Sequence, residues 1–346
     1  MKKKAFLNIA KVMKMFNLQL FAEPNTNVTT DAGLSGEMKT YYEDTLIDEA
    51  EPNLVHDQFG DEYPIPKGKG KTIEFRKYDS LPKALTPLTE GVTPNGKKLS
   101  MTTTTAEIAQ YGDYIVTSDV LDLTAIDNNV VQSTKVLGSQ AGRTLDTVTR
   151  EVLAGGTNVL YAPKISGGAE TIVSSRKNLD TTALITPDLC FQAHAILKTM
   201  LAPFIDGCYV GIIHPYVAYD LMRNEEWLDV HKYSTPENIY EGEIGKIANI
   251  RFVQSTEAKI WKDATCPTGL AVFSTLILGA HAYGVTEVRG GGLQHIVKQL
   301  GYGDDPLNQR ASVGWKATKT AKRLVEQYML RIESCSKRYS SMAEAN

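Results

Sequence analysis

The apolar positions between 127 and 155 carry the clearest pattern in the chain. Val130, Thr134, Leu137, Ala141, Leu145, Val148 and Val152 recur at spacings of three and four. That recurrence places them on one face of an α-helix. Asp127 predicts its cap and Gly155-Gly156 its end. A helix over 127–155 would be a rod of about 40 Å at ~1.5 Å per residue, longer than most. Residues 35–50 predict another helix. Ser35 is its cap, Met38, Tyr41, Tyr42, Leu46 and Ile47 form its apolar face, and Pro52 is its stop. Thr186-Pro187-Asp188 opens a third, with Leu189, Ala193, Ile196, Leu197 and Met200 on one side. Pro215 begins a short fourth, PYVAYDLMRN.

Period-two and buried-run patterns predict strands elsewhere. In TIEFRKY (72–78), Ile73 and Phe75 alternate with polar neighbours. LSMTTTTAEIAQYGDYIVTS (99–118) is rich in threonine and β-branched residues. Between these runs, residues 79–98 have no period. Pro82, Pro87 and Pro94 with Gly91 and Gly96 exclude a long helix. Leu81, Leu85 and Leu88 are too few for a core. Strand, long excursion, strand predicts a two-stranded arm projecting from a body. Further on, the runs at 208–214, 247–255, 269–278, 295–300, 311–317 and 327–334 read as strands, so the second half is mixed α and β.

Composition adds bounds. The chain has 346 residues, 42% hydrophobic and 22% charged, the profile of a folded protein of one large domain or two smaller ones. Net charge is -3, so no global basic field holds nucleic acid. No apolar run reaches the ~20 residues that span a bilayer. The basic start, with five lysines in residues 1–14, is broken by Lys11 and Lys14 and does not read as a signal peptide. It reads as a solvated tail, or else as a basic arm facing a polyanion or a partner. Met13 and Met15 are alternative starts. Cys190, Cys208, Cys266 and Cys335 have no metal or redox spacing and read as reduced thiols.

The stretch KGKGKT (67–72) ends as a phosphate-binding loop does. That motif needs a further glycine at position 65, where this chain has Ile65, and a helix behind it, where a strand is predicted. It reads as a solvated turn. The six histidines form no zinc pattern, and there is no nucleophile elbow. Glu225-Glu226 and Asp304-Asp305 read as solvated faces rather than acid/base pairs. Gly290, Gly291 and Gly292 read as a bend. No catalytic, cofactor-binding or metal-binding residue is expected. An arm, a long helix and a separate α/β unit instead suggest an assembly protein, in which many weak contacts close a symmetric shell.

Several stretches resemble one family. They are NLQLFAE (17–23), LTEGVTPNGKKLS (88–100), AQYGDYIVTSDVLDLTAID (109–127), GRTLDTVTREVLAGGTN (142–158), GEIGKIANIRFVQS (242–255) and DPLNQRASVGWKA (305–317). Together they resemble tailed-phage major capsid proteins of the Hong Kong 97 type, and within these the N-four-type family. The resemblance implies an α+β fold. Its parts would be an N-terminal arm over 1–60, an E-loop with its base strands over 61–115 and a peripheral P-domain over 116–184 with spine helix 127–155. An axial A-domain would follow over 185–289, and return strands of the P-domain with a C-terminal tail over 290–346. The E-loop would overlap a neighbouring subunit through Leu85, Pro87, Leu88, Glu90, Gly91, Pro94, Asn95, Gly96 and Lys97. Val130, Leu137, Ala141, Leu145, Val148 and Val152 would pack the spine helix.

The implied function is a coat protein made in the host cytoplasm. It would assemble through hexamers and pentamers into an icosahedral shell, the virion capsid, around double-stranded DNA. Expected partners are other copies of itself, a portal, a decoration protein and a separate scaffolding protein. The last follows because the roughly 35 residues before the first predicted helix are too short for a built-in scaffolding segment. DNA contact would be non-specific, and no membrane or cofactor is expected. Lys83, Lys97 and Lys98 lie in the candidate loop, but no partner asparagine is identifiable, so covalent cross-linking is not carried over. An encapsulin-type cargo shell is the alternative within this fold, and a hydrolase or nucleotide enzyme the alternative outside it.

Overall fold

The computed structural model describes residues 55–346 except 89, 94, 125–128, 168, 225–226, 228–244, 289–290 and 303–304. The helix expected over 35–50, the Asp127 cap and Pro94 lie outside the described residues, as does the Val130 side chain.

The described chain enters through β1 (Asp61–Glu62) and makes the turn KGKGKT. Gly68 and Gly70 there have φ of 83° and 91°, backbone that side-chain-bearing residues avoid. It continues through β2 (Thr72–Tyr78), β3 (Met101–Glu107) and β4 (Ala109–Ser118). Helices α1 (Asp119–Thr124) and α2 (Asn129–Ala154) follow, then β5 (Val159–Tyr161), β6 (Lys164–Ser166) and β7 (Ala169–Thr171). After α3 (Pro187–Thr199), β8 (Tyr209–Ile213) and α4 (Pro215–Met222) come β9 (Lys246–Ile247), β10 (Ile250–Gln254) and β11 (Ile260–Trp261). The chain ends through β12 (Val272–Leu278), β13 (Tyr283–Thr286), β14 (Gln294–Lys298), β15 (Arg310–Arg323) and β16 (Met329–Ser334).

Two sheets organise these elements. In the first, the long strand β15 is central. One edge pairs antiparallel with β4 over residues 310–319. The other pairs with β14 over 312–316 and with β13 over 320–323, and β1 adds in parallel to β13. Helix α2 lies on this sheet. Leu137, Ala141 and Leu145 meet Val313, Trp315 and Ala317, alternate residues of one strand face. The second sheet runs β5-β16-β12-β8-β10-β9, with β11 beside β12. Its central strand, VFSTLIL, is buried throughout, as expected of a strand covered on both faces. Leu189 and Leu197 of α3, Val217 and Leu221 of α4, and Tyr209 and Phe273 of the sheet share one core. A third cluster, including Leu153, Leu276, Tyr283 and Met329, joins the two units.

The expected helix period of α2 holds over its first half and drifts over its second. Leu137, Ala141 and Leu145 are buried, whereas Val148 and Val152 are only half-buried. The buried positions there are Asp146, Thr149, Arg150 and Leu153. Polar side chains take that face because other parts of the chain supply hydrogen bonds to it.

Candidate assembly surfaces

The arm expected between 72 and 107 is present. Strands β2 and β3 pair antiparallel from Thr72↔Glu107 to Tyr78↔Met101, joined only through residues 79–100. Its root is fixed. Ile65 is buried, and the amides of Tyr63 and Ile65 donate to the carbonyls of Val285 and Glu287 at 3.0 and 2.8 Å. The Tyr63 and Phe75 rings meet edge to face at 5.2 Å. Its neck is closed by Asp79, whose amide donates to the Ser100 carbonyl at 3.1 Å and whose carboxylate accepts from the Ser100 hydroxyl at 2.9 Å.

Beyond the neck, the apolar residues face solvent. Leu85 is 82% exposed, Leu88 77% and Leu99 72%, with Leu81 and Val92 also exposed. Pro87, Glu90, Gly91, Asn95, Gly96 and Lys97 are exposed too, and Gly91 takes φ 77°. Burying a leucine is worth roughly 1.5–3 kcal/mol, so an exposed series in one excursion marks a surface that another body covers.

A buried polar cluster anchors the start of the described chain beneath the arm. The His56 amide donates to Asp146 Oδ1 at 2.7 Å, and its Nδ1 stands 2.6 Å from Asp146 Oδ2; both residues are fully buried. The Thr149 hydroxyl donates to Asp57 at 2.6 Å, and Lys319 Nζ pairs with the same carboxylate. The Tyr283 hydroxyl donates to the His56 carbonyl. A Cβ at Gly60 would stand 2.5 Å from the Tyr283 ring, so the turn lies flat on that ring. Residues 56–60 are thus tied to α2, β13 and β15 together.

A second cluster sits where α2 ends. Glu333, fully buried, accepts from Arg176 through both oxygens at 2.7 Å and from Arg331 Nε at 2.9 Å. Arg331 Nη1 also donates to the carbonyls of Ala154 and Gly156, at 2.8 Å for Gly156. The guanidinium therefore neutralises the negative end of the helix dipole and satisfies orphan carbonyls. Trp261 lies 3.7 Å beneath the Arg176 guanidinium. Sequence reasoning did not single out these residues. The available signal was Arg331 and Glu333 interrupting the apolar run MLRIES.

The groups set aside on sequence grounds have structural places. His214 caps α4 by accepting from the Tyr216 amide at 3.2 Å, and burial pushes its pKa down to about 4. His281 stands 2.7 Å from Asp61 Oδ2, and His194 packs against Tyr209 and Phe204. All four cysteines are free and buried; burial pushes the Cys190 and Cys335 thiols up to about 12. KGKGKT is followed by strand β2, not by a helix. Glu225-Glu226, Asp304 and His231 lie outside the described residues. Among the described residues, no group of three or more His, Cys, Asp or Glu is placed to hold a metal ion, and no helix is long and apolar enough to cross a membrane.

Comparison with known proteins identifies this arrangement. Residues 62–305 match the family model described as phage capsid protein. No curated protein matches the sequence significantly. The fold is similar to the capsid of Ralstonia phage GP4, at 15% identity over 81% of this chain and 87% of that one, with TM-score 0.63. It is similar to the capsid of the cyanophage P-SCSP1u, at 14% identity over 79% and 86%, with TM-score 0.61. It is also similar to the acid-stable capsid of Helicobacter pylori bacteriophage KHP30, at 11% identity over 79% and 87%, with TM-score 0.58.

Proposed function

The chain belongs to the phage capsid protein family, and from that premise we propose how it builds its shell. It is a coat protein with a Hong Kong 97-like α+β fold, its role is structural, and its place is the virion capsid. Copies of the chain associate with one another. In our reading they do so as hexamers and pentamers that close an icosahedral shell around double-stranded DNA. The narrower kinship with the N-four-type group belongs to the same proposal, as do synthesis in the host cytoplasm and the portal, decoration and scaffolding partners.

The observation that carries the reading is the arm. A β-hairpin rooted by buried contacts presents Leu81, Leu85, Leu88, Val92 and Leu99 to solvent. A lone subunit gains nothing from this arrangement; a subunit whose arm lies across a neighbour buries those side chains. In this layout residues 1–60 are the N-terminal arm, 61–115 the E-loop and its base, 116–184 and 290–346 the P-domain with its tail, and 185–289 the A-domain. The two sheets support that division, one built on β15 under α2 and one on β12 between α3, α4 and their surroundings. The net charge of -3 suits a container that holds DNA without gripping it.

Deleting residues 81–97 tests the reading. The deletion should leave a soluble subunit with native circular dichroism that forms no stable shells, as read by sedimentation and electron microscopy. Shells of normal yield from the deletion would refute the role given to the arm.

A further inference from the structure

Charge is distributed unevenly along this chain, and the arm is at one extreme. Residues 66–107 carry eight lysines and arginines against four acidic residues, in a protein of net charge -3. Lys71 pairs with Glu107 and Arg76 with Glu74. Lys67, Lys69, Lys77, Lys83, Lys97 and Lys98 are exposed and have no ion pair among the described residues. At the opposite extreme, residues 37–51 (EMKTYYEDTLIDEAE) carry six acidic residues and one lysine. Their apolar period, Met38, Tyr41, Tyr42, Leu46 and Ile47, gives them an oily side as well as an acidic one.

We propose that the tip of the arm, residues 81–99, is the docking site for the acidic segment 37–51 of a neighbouring copy. This rests on the assembly reading above. The two surfaces complement each other in both respects: lysines with carboxylates, and exposed leucines with Leu46, Ile47 and the tyrosines. Nucleic acid would satisfy the lysines but leave Leu85 and Leu88 uncovered. The segment belongs to another copy because of reach. The described chain is pinned at His56 and Asp57 against α2, β13 and β15. Glu51 lies five residues before His56, and an extended chain covers at most ~3.6 Å per residue. That is under ~20 Å, whereas β2 alone carries the arm about 20 Å from its root at ~3.3 Å per residue, and Lys83 and Lys97 lie beyond its end. The copy's own arm tip is out of range for Glu51 and at the limit for Asp48 and Glu49.

Charge reversal in the full-length protein tests this. One variant carries Lys83→Glu, Lys97→Glu and Lys98→Glu; the other carries Glu43→Lys, Asp44→Lys, Asp48→Lys and Glu49→Lys. Each pair is weak, but a shell repeats it in every subunit, so each variant alone should lower shell yield about ten-fold or more. Co-expressed, the two variants should recover to within about two-fold of wild type, because each supplies what the other lacks in trans. No recovery in the mixture overturns the proposal. Recovery only when both sets are placed in one chain shows pairing within a copy and overturns it too. So does a tip variant that builds shells at wild-type yield with less nucleic acid inside. If wild type itself forms no shells, the assembly reading fails and this inference falls with it; wild-type shells with a failed mixture sink the inference alone.

Discussion

His214 illustrates how one buried atom couples local structure to solution conditions. Its Nδ1 accepts from the Tyr216 amide, so the cap requires the neutral ring, and burial among aromatic neighbours pushes its pKa from 6.5 to about 4. An unfolded histidine takes up a proton near pH 6.5, while the folded one resists until about 4. Stability therefore falls as pH drops through that window, by about 2 kcal/mol between pH 7 and 5 from this residue. His214→Asn keeps the cap acceptor and removes the titration. Denaturant unfolding of the isolated subunit at both pH values should show the variant losing less than wild type, by about that amount. Equal losses would mean that His214 is not the group that responds. Nothing in the sequence announced this role; Pro215 marked the helix start, but the capping side chain was not distinguishable from any other lone histidine.

At the scale of elements, the apolar period located nearly every helix and strand. Helix α2 was expected over 127–155 and spans Asn129–Ala154; its end at Gly155-Gly156 stands where the glycines pointed. The two-stranded arm was legible because prolines and glycines interrupt one long extended region. What the period missed is the polar half of the packing. Asp146, Thr149 and Arg150 are buried because His56, Asp57 and the carbonyl of Glu257 meet them, partners about 90 or more residues away. Hydrophobic pattern carries no signal for such long-range hydrogen bonds. The Glu333 cluster is of the same kind and makes a sharper test. Glu333→Gln removes the charge that balances Arg176 and Arg331 and loosens the cap on α2. Breaking a buried pair from one side costs about 3–5 kcal/mol, so the variant's thermal midpoint should fall by many degrees. A midpoint within about 2 °C of wild type would show the cluster to be solvated in solution.

For the whole molecule, the same division holds. Family resemblance in short stretches such as DPLNQRASVGWKA foretold the fold, and the family match and the capsid-like architecture agree with it. The surfaces that make contact between copies were readable only in outline. The arm's exposed leucines stand out once the hairpin is seen, whereas the surface they cover belongs to another copy and leaves no periodic trace in one sequence. The central claim is that this arm is covered by a neighbour. A cryo-electron microscopy reconstruction of assembled shells tests it most directly. The account predicts density for residues 81–97 lying against an adjacent subunit, with Leu85 and Leu88 buried at the contact. An arm folded back on its own body, or standing free in solvent in a closed shell, would contradict it.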